Sequence, residues 1–150
     1  MQIKLDGNME ITAPIASAYG FLTDTQSVSG CIPDTEGFKK IDDKNFTLKA
    51  KVGIGMVRGL FDLRGSFVKK EGSAVSYTIE GNGIGSNVKI LLDIQLKEKG
   101  AGATDMVWDS TFELGGLISG VGASIIKKVS EDKINIIITA IKSHLESAAK

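Results

Sequence analysis

From Gln2 to Thr12 the chain alternates, with Ile3, Leu5, Gly7, Met9 and Ile11 on one side and Lys4, Asp6, Asn8 and Glu10 on the other. A period of two predicts a half-buried strand. Ala13-Pro14 breaks the pattern, and Pro14 suits the first turn of a helix predicted to reach Leu22, with Ile15, Ala18, Tyr19 and Leu22 on one face. A second short helix is predicted over Thr25 to Gly30, ended by a turn at Cys31-Ile32-Pro33-Asp34.

After Gly37 the alternation returns. Phe46, Leu48, Ala50, Val52 and Ile54 form one inward set, and Val57, Gly59, Phe61, Leu63, Gly65 and Phe67 the next. Val75, Tyr77 and Ile79 follow, then Val88, Ile90, Leu92, Ile94 and Leu96, and last Met106, Trp108, Ser110, Phe112 and Leu114. Each gap between these runs holds Gly or a polar pair, which predicts hairpins. One apolar face per strand is the mark of an antiparallel sheet packed on one side and solvated on the other.

Past Leu114 the period becomes helical, from Leu117 to Ala148, a rod of about 48 Å if unbroken. Ile118, Val121, Ile125 and Val129 share one stripe. Counted along a continuous helix, Ile134, Ile137, Ile138, Ile141 and Leu145 form a second stripe rotated by roughly 130° from the first. Two readings follow. A kink near Ser130 to Lys133, or the sheet's own twist, returns the second stripe to the core; otherwise those five side chains form an interface for self-association or a partner subunit. The fold class expected is α+β, one domain over residues 1–150, with a curved antiparallel sheet of six or seven strands around a long C-terminal helix.

Charge and composition narrow the function. Eighteen basic and eighteen acidic residues give zero net charge, which argues against a nucleic-acid binder and against general affinity for an acidic bilayer. Cys31 is the lone cysteine, so no internal disulfide forms and a reduced, cytoplasmic setting is expected. The first twenty residues lack the basic start and apolar run of a signal peptide, and no apolar stretch is long enough to span a bilayer. Membrane contact is therefore expected to be peripheral at most, at the inner face of the cell membrane.

No catalytic or metal-binding constellation emerges. Gly53, Gly55 and Gly59, and Gly81, Gly83 and Gly85, are followed by strands rather than by the helix a phosphate-cradling loop requires. His144 is a single histidine without a partner, and Asp62, Asp93, Asp109 and Glu113 fall on the polar faces of their strands. No catalytic residue, metal ligand or cofactor is expected. The abundance of inner-face apolar surface suggests instead a cavity between sheet and helix, lined by Phe61, Leu63, Phe67, Tyr77, Ile79, Ile90, Leu92, Met106, Trp108, Ser110, Ile118, Val121 and Ile125. A hydrophobic small molecule would bind there by desolvated area, oriented by Tyr77 or Ser110. The pattern equally allows a core filled by its own side chains, which would make the chain a ligand-free scaffold; a cyclase- or hydrolase-like enzyme would need ionisable groups inside.

Several motifs carry a family resemblance: Ile11-Thr12-Ala13-Pro14 followed by Tyr19 and Leu22, Cys31-Ile32-Pro33, Val52-Gly53-Ile54-Gly55 leading to Arg58-Gly59 and Phe61, and Gly115-Gly116 before a helix with Gly122. With the order of elements, they resemble the CoxG-like family of carbon monoxide dehydrogenase subunits, within the START/Bet v 1-like, helix-grip (SRPBCC) superfamily. Where family members often continue Cys-Ile-Pro with Gly and a second Cys, this chain has Asp34 and Thr35. The resemblance implies an accessory role: binding an apolar ligand such as a quinone or lipid, and helping a molybdenum hydroxylase of the carbon monoxide dehydrogenase type reach the membrane. It carries over no catalytic residue.

Overall fold

The computed structural model describes residues 1–148. Strand β1 (Gln2–Ile11) is followed by helices α1 (Ile15–Leu22) and α2 (Thr25–Ser29), then by β2 (Thr35–Lys40), β3 (Asn45–Ile54), β4 (Val57–Lys70), β5 (Ala74–Gly83), β6 (Ser86–Glu98) and β7 (Thr104–Gly116). A four-residue 3-10 turn, Leu117–Gly120, leads to α3 (Ala123–Ala148). The seven strands form one antiparallel sheet in the order β1-β7-β6-β5-β4-β3-β2. Five successive hairpins build β2 to β7, and β1 closes onto β7 with Leu5 opposite Ser110. This is the antiparallel sheet with a long C-terminal helix expected from the alternation, and the helix-grip architecture that the resemblance implied.

The pleat explains the core. Alternate residues of β1 and β3 to β7 point to the face that α3 covers, so Phe46, Phe61, Phe67, Tyr77, Leu92, Met106 and Trp108 are buried. Strand β2 leaves no clear hydrophobic pattern because it is an edge: only Thr35 and Phe38 are half-buried among its six residues, and its register shifts between Glu36 and Lys39. Pro14, in extended conformation, is the residue just before α1 rather than its first turn. Asp24 caps α2, its carboxylate accepting from the Gln26 N–H at 3.3 Å.

The start of the long helix differs from expectation, with consequences for every residue after it. Gly116 and Gly122 have φ of 77° and 115°, in the region that side chains with a Cβ disfavour. They interrupt the chain on either side of the 3-10 turn, so α3 begins six residues late and its phase restarts. Ile126, not Ile125, then faces the core, followed by Ser130, Ile134, Ile138, Ile141 and Leu145. These six fall within about 120° of arc, one stripe on one uninterrupted helix. The expected interface is therefore corrected: Ile134, Ile138, Ile141 and Leu145 are core, with Ile137 packed half-buried against them.

Candidate functional site

The buried apolar residues fall into two clusters at opposite ends of the grip. The larger joins α1, α2, the C-terminal part of α3 and one end of the sheet, and includes Ile11, Leu22, Phe46, Phe67, Tyr77, Trp108 and Ile138. The smaller comprises Ile3, Val57, Phe61, Phe112, Leu114, Ile118 and Ile126. Half-buried Leu5 and Leu63 touch both. Ile79 belongs to neither cluster, half-buried Ile90 packs on the border of the smaller one, and the buried residues Ser110 on β7 and Ser130 on α3 fall between members of the two along their own elements. Ser130 occupies the helix position between Ile126 of one cluster and Ile134 of the other. The result is a seam across the interior, apolar on the sheet side and marked by two small hydroxyl side chains.

The residues expected to line a cavity are distributed across this arrangement. Phe67, Tyr77, Leu92, Met106 and Trp108 belong to the larger cluster, Phe61 and Ile118 to the smaller. Leu63, Ile79, Ile90 and Ser110 border the seam, and Val121 is half-buried beside the smaller cluster. Ile125 is 52% exposed and does not line the interior; the phase restart at Gly122 turns it outward. Tyr77 is not free to orient a ligand, because its hydroxyl donates to the Leu22 carbonyl at 2.6 Å. Burial, with the nearby Asp24 and Cys31, pushes that phenol well above its ordinary value. Ser110 donates to the Leu5 carbonyl at 3.2 Å across the β1–β7 pair. Sequence reasoning missed Ser130 and Ile126, since Ser130 read as part of a polar break and Ile126 as off the stripe, and only the corrected helix phase identifies them; Leu5 lay on the expected inner side of β1 but was not among the residues expected to line the cavity.

The chemistry of the interior is uniform. Among the described residues no Asp, Glu, Lys, Arg or His is buried. Asp62, Asp93, Asp109 and Glu113 are exposed on the outer face of the sheet. Two open hollows of about 680 and 570 Å³ lie on that outer face, bordered by Glu80, Lys89 and Glu113 and by Lys49, Asp62 and Arg64. His144 is exposed, its ring stacked on Phe21 at 5.9 Å between centroids. Burial pushes the Cys31 thiol up to about 11, which suppresses the thiolate and with it nucleophilic reactivity. No group of three or more His, Cys, Asp or Glu among the described residues is placed to hold a metal ion.

At the mouth beside the smaller cluster, the hairpin turn joining β5 to β6 places Ile84 at φ 52° and Gly85 at φ 64°. Two positive φ values are the geometry of a tight primed turn, which favours Asn-Gly. A β-branched side chain in that conformation costs about 1–2 kcal/mol. The Leu117 N–H donates to the Gly85 carbonyl at 3.0 Å and the Ile118 N–H to Ser86 Oγ at 2.9 Å, so this turn and the 3-10 turn meet at the mouth.

The fold has well-defined relatives. A conserved protein from Geobacillus kaustophilus superposes with a TM-score of 0.85 at 18% identity, covering 99% of this chain and 98% of that one. A START superfamily protein from Mycobacterium smegmatis gives 0.75 at 12% identity, covering 97% and 98%. The Zhui aromatase/cyclase from Streptomyces sp. R1128 gives 0.72 at 12% identity, covering 100% and 97%. At such identities these likenesses establish the fold alone. A comparison with curated proteins gives no match. Residues 7–146 match the family of the CoxG subunit of carbon monoxide dehydrogenase. That span takes in Ser110, Ser130, the 3-10 turn and every buried member of the two clusters except Ile3, and on that match the chain belongs to the CoxG family.

Proposed function

We propose that this protein is a non-catalytic, cytoplasmic accessory subunit that holds an apolar small molecule, a quinone or a lipid, between the inner face of the sheet and α3, in the service of a carbon monoxide dehydrogenase-type molybdenum hydroxylase. The observation that carries this reading is the absence of any ionised side chain from the described interior. General acid–base chemistry needs a titratable group within reach of substrate, whereas an apolar ligand needs only desolvated area and one or two polar contacts. Both are at hand along the seam: Leu5, Leu63 and Ile90 retain accessibility on the inner face, Ser130 brings a hydroxyl, and the Ser110 oxygen, its proton given to the Leu5 carbonyl, keeps only its acceptor side. Family membership supports the accessory role and the partner class.

The tight packing of both clusters favours a second reading, a scaffold with a filled core. One experiment separates the two. Trp108 is the single tryptophan and is buried, so its fluorescence reports the interior. Extraction of the purified protein with organic solvent should release a quinone or lipid, and added quinone should quench Trp108. Ser130→Leu should fill the seam, reducing quenching while costing about 1–3 kcal/mol of stability. An empty extract together with an unquenched Trp108 would establish the scaffold.

A further inference from the structure

The sheet has two edges, and they are finished differently. Strand β2 is six residues long, shifts register between Glu36 and Lys39, and carries Lys39 and Lys40. Short length, irregularity and lysine all guard an edge against pairing with another chain. Strand β1 instead runs for ten residues in unbroken register with β7. The Met1 amino group donates to the Leu114 carbonyl at 3.0 Å and the Leu114 N–H to the Met1 carbonyl at 2.8 Å, so this pair exchanges both bonds. Bonded and non-bonded pairs alternate along an antiparallel ladder. The odd-numbered residues of β1 therefore spend their main-chain groups on β7, and the even-numbered ones turn theirs to the free edge.

Helix α3 caps the far part of that edge: Lys142 donates to the Glu10 carbonyl and the Thr12 N–H to Glu146, each at 2.9 Å. Over the near part, Gln2, Lys4, Asp6 and Asn8 are exposed, and among the described residues their main-chain groups have no partner beyond the sheet. Asp6 also lies directly opposite Asp109, which lies opposite Asp93. Like charges so placed repel, and among the described residues none of the three carboxylates has an ion-pair partner. A cation brought to this edge would relieve them.

We propose that the edge pairs with a second copy of this chain, Gln2 to Asn8 running antiparallel to the same residues about a two-fold axis at Leu5. Lys4 then faces the partner's Asp6 and Asp6 the partner's Lys4, while Gln2 meets Asn8, Ile3 meets Gly7 and Leu5 meets its own copy. Every outward N–H and C=O from Gln2 to Asn8 is satisfied, and facing side chains are polar on the outer side of the sheet and apolar or glycine on the α3 side. Neighbouring registers fail. A slip of two residues, the smallest that keeps the faces matched, moves the axis to Lys4 or to Asp6. The first sets Lys4 against Lys4; the second sets Asp6 against Asp6 and needs the Glu10 carbonyl that Lys142 holds. Leu5 packs on both apolar clusters, so the joint runs along the wall of each interior, and it forms whether or not the seam binds a ligand.

The test is sedimentation equilibrium of the purified chain at rising concentration. Wild type should pass from monomer to dimer with a dissociation constant on the order of 100 μM, the weakness expected of a single strand pair. Lys4→Asp and Asp6→Lys should each weaken dimerisation roughly tenfold, since each turns two attractive cross-strand pairs into repulsive ones. Both should remain folded by circular dichroism, because both side chains already meet water. Lys4→Asp and Asp6→Lys combined in one chain should restore the wild-type dimer, a rescue unique to the register centred on Leu5. Amide exchange should slow with concentration at Lys4, Asp6 and Asn8 but not at Leu5 or Gly7, whose N–H groups β7 already holds. A wild type still monomeric at roughly tenfold higher concentration than that constant overturns the proposal, as does a double variant that stays monomeric. So does a dimer that neither single variant weakens but Met56→Ser with Leu117→Ser dissociates, which would identify the exposed apolar tips of the mouth as the interface.

Discussion

The two ends of the grip are built from the same strands and helix but held by different forces. At the end closed by α1 and α2, apolar packing is reinforced by long-range polar ties: Tyr77 to the Leu22 carbonyl at 2.6 Å, and Thr104 Oγ1 to the Ala13 carbonyl at 2.8 Å, both buried. Glu146 accepts from the Thr12 N–H at 2.9 Å, and Lys142 donates to the Glu10 carbonyl at 2.9 Å. At the mouth, a smaller cluster is covered by turns, the 3-10 segment and the first turn of α3 through Ile126, and large apolar side chains nearby, Met56, Leu117 and Ile125, are exposed. Buried hydrogen bonds are satisfied only in one geometry, so they hold the closed end to a single arrangement. At the mouth the buried tie is one backbone N–H, that of Ile118, donating to Ser86 Oγ at 2.9 Å, beside the Leu117 N–H to the Gly85 carbonyl at 3.0 Å; both join the β5–β6 turn to the 3-10 turn rather than to a helix.

The strongest way to break this contrast is to charge the helix stripe. Replacing Ile137 and Ile141 together with Asp places two carboxylates against the closed-end core, and the expected loss exceeds about 4 kcal/mol. Circular dichroism should show gross unfolding. The matching change at the mouth, Ile125→Asp, should stay within about 0.5 kcal/mol of the parent, since that side chain already meets water. A folded double variant that fails only to associate would restore the interface reading of the second stripe.

A smaller effect comes from Tyr77→Phe, which leaves the Leu22 carbonyl unpaired in a buried site. The expected cost is about 1–3 kcal/mol in chemical denaturation, and amide exchange should quicken in α1 more than in the 3-10 turn. Equal quickening at both ends would show that the molecule opens as one unit.

Least in size is a pH effect at Cys31, also at the closed end. Its folded thiol titrates at about 11 against an ordinary value of 9.0, so between those values the unfolded chain has released a proton that the folded chain retains. Stability therefore falls as pH rises from 9.0 through about 11. Cys31→Ser should flatten that slope, and alkylation of Cys31 in the folded protein should lag behind that of a free thiol at pH 9. Prompt alkylation would show that the closed end opens readily.

How much of this is legible in the sequence differs by element. Strict alternation in β1 and β3 to β7 predicts the strands and which side of each is buried, because a half-buried strand needs only a period of two. Edge strand β2 escapes, since two half-buried residues make no pattern. The seam is legible in part: Ile90, Leu63 and Ser110 lie on the expected inner face, whereas Ser130 depends on helix phase, and phase depends on where the helix starts.

Local periodicity and composition, then, determined the antiparallel sheet, the long helix, the apolar interior and the lack of ionised groups inside it, because each of these is written in neighbouring residues. Tertiary structure alone decided that Gly116 and Gly122 break the helix, which turns Ile125 outward, Ile126 inward and Ile134 to Leu145 into core. It also decided that the β3–β4 turn, the β5–β6 turn and the 3-10 turn, far apart in the chain, meet at one end. Net charge is a sum over the whole chain and carries no position; only folding decides which charges share a surface.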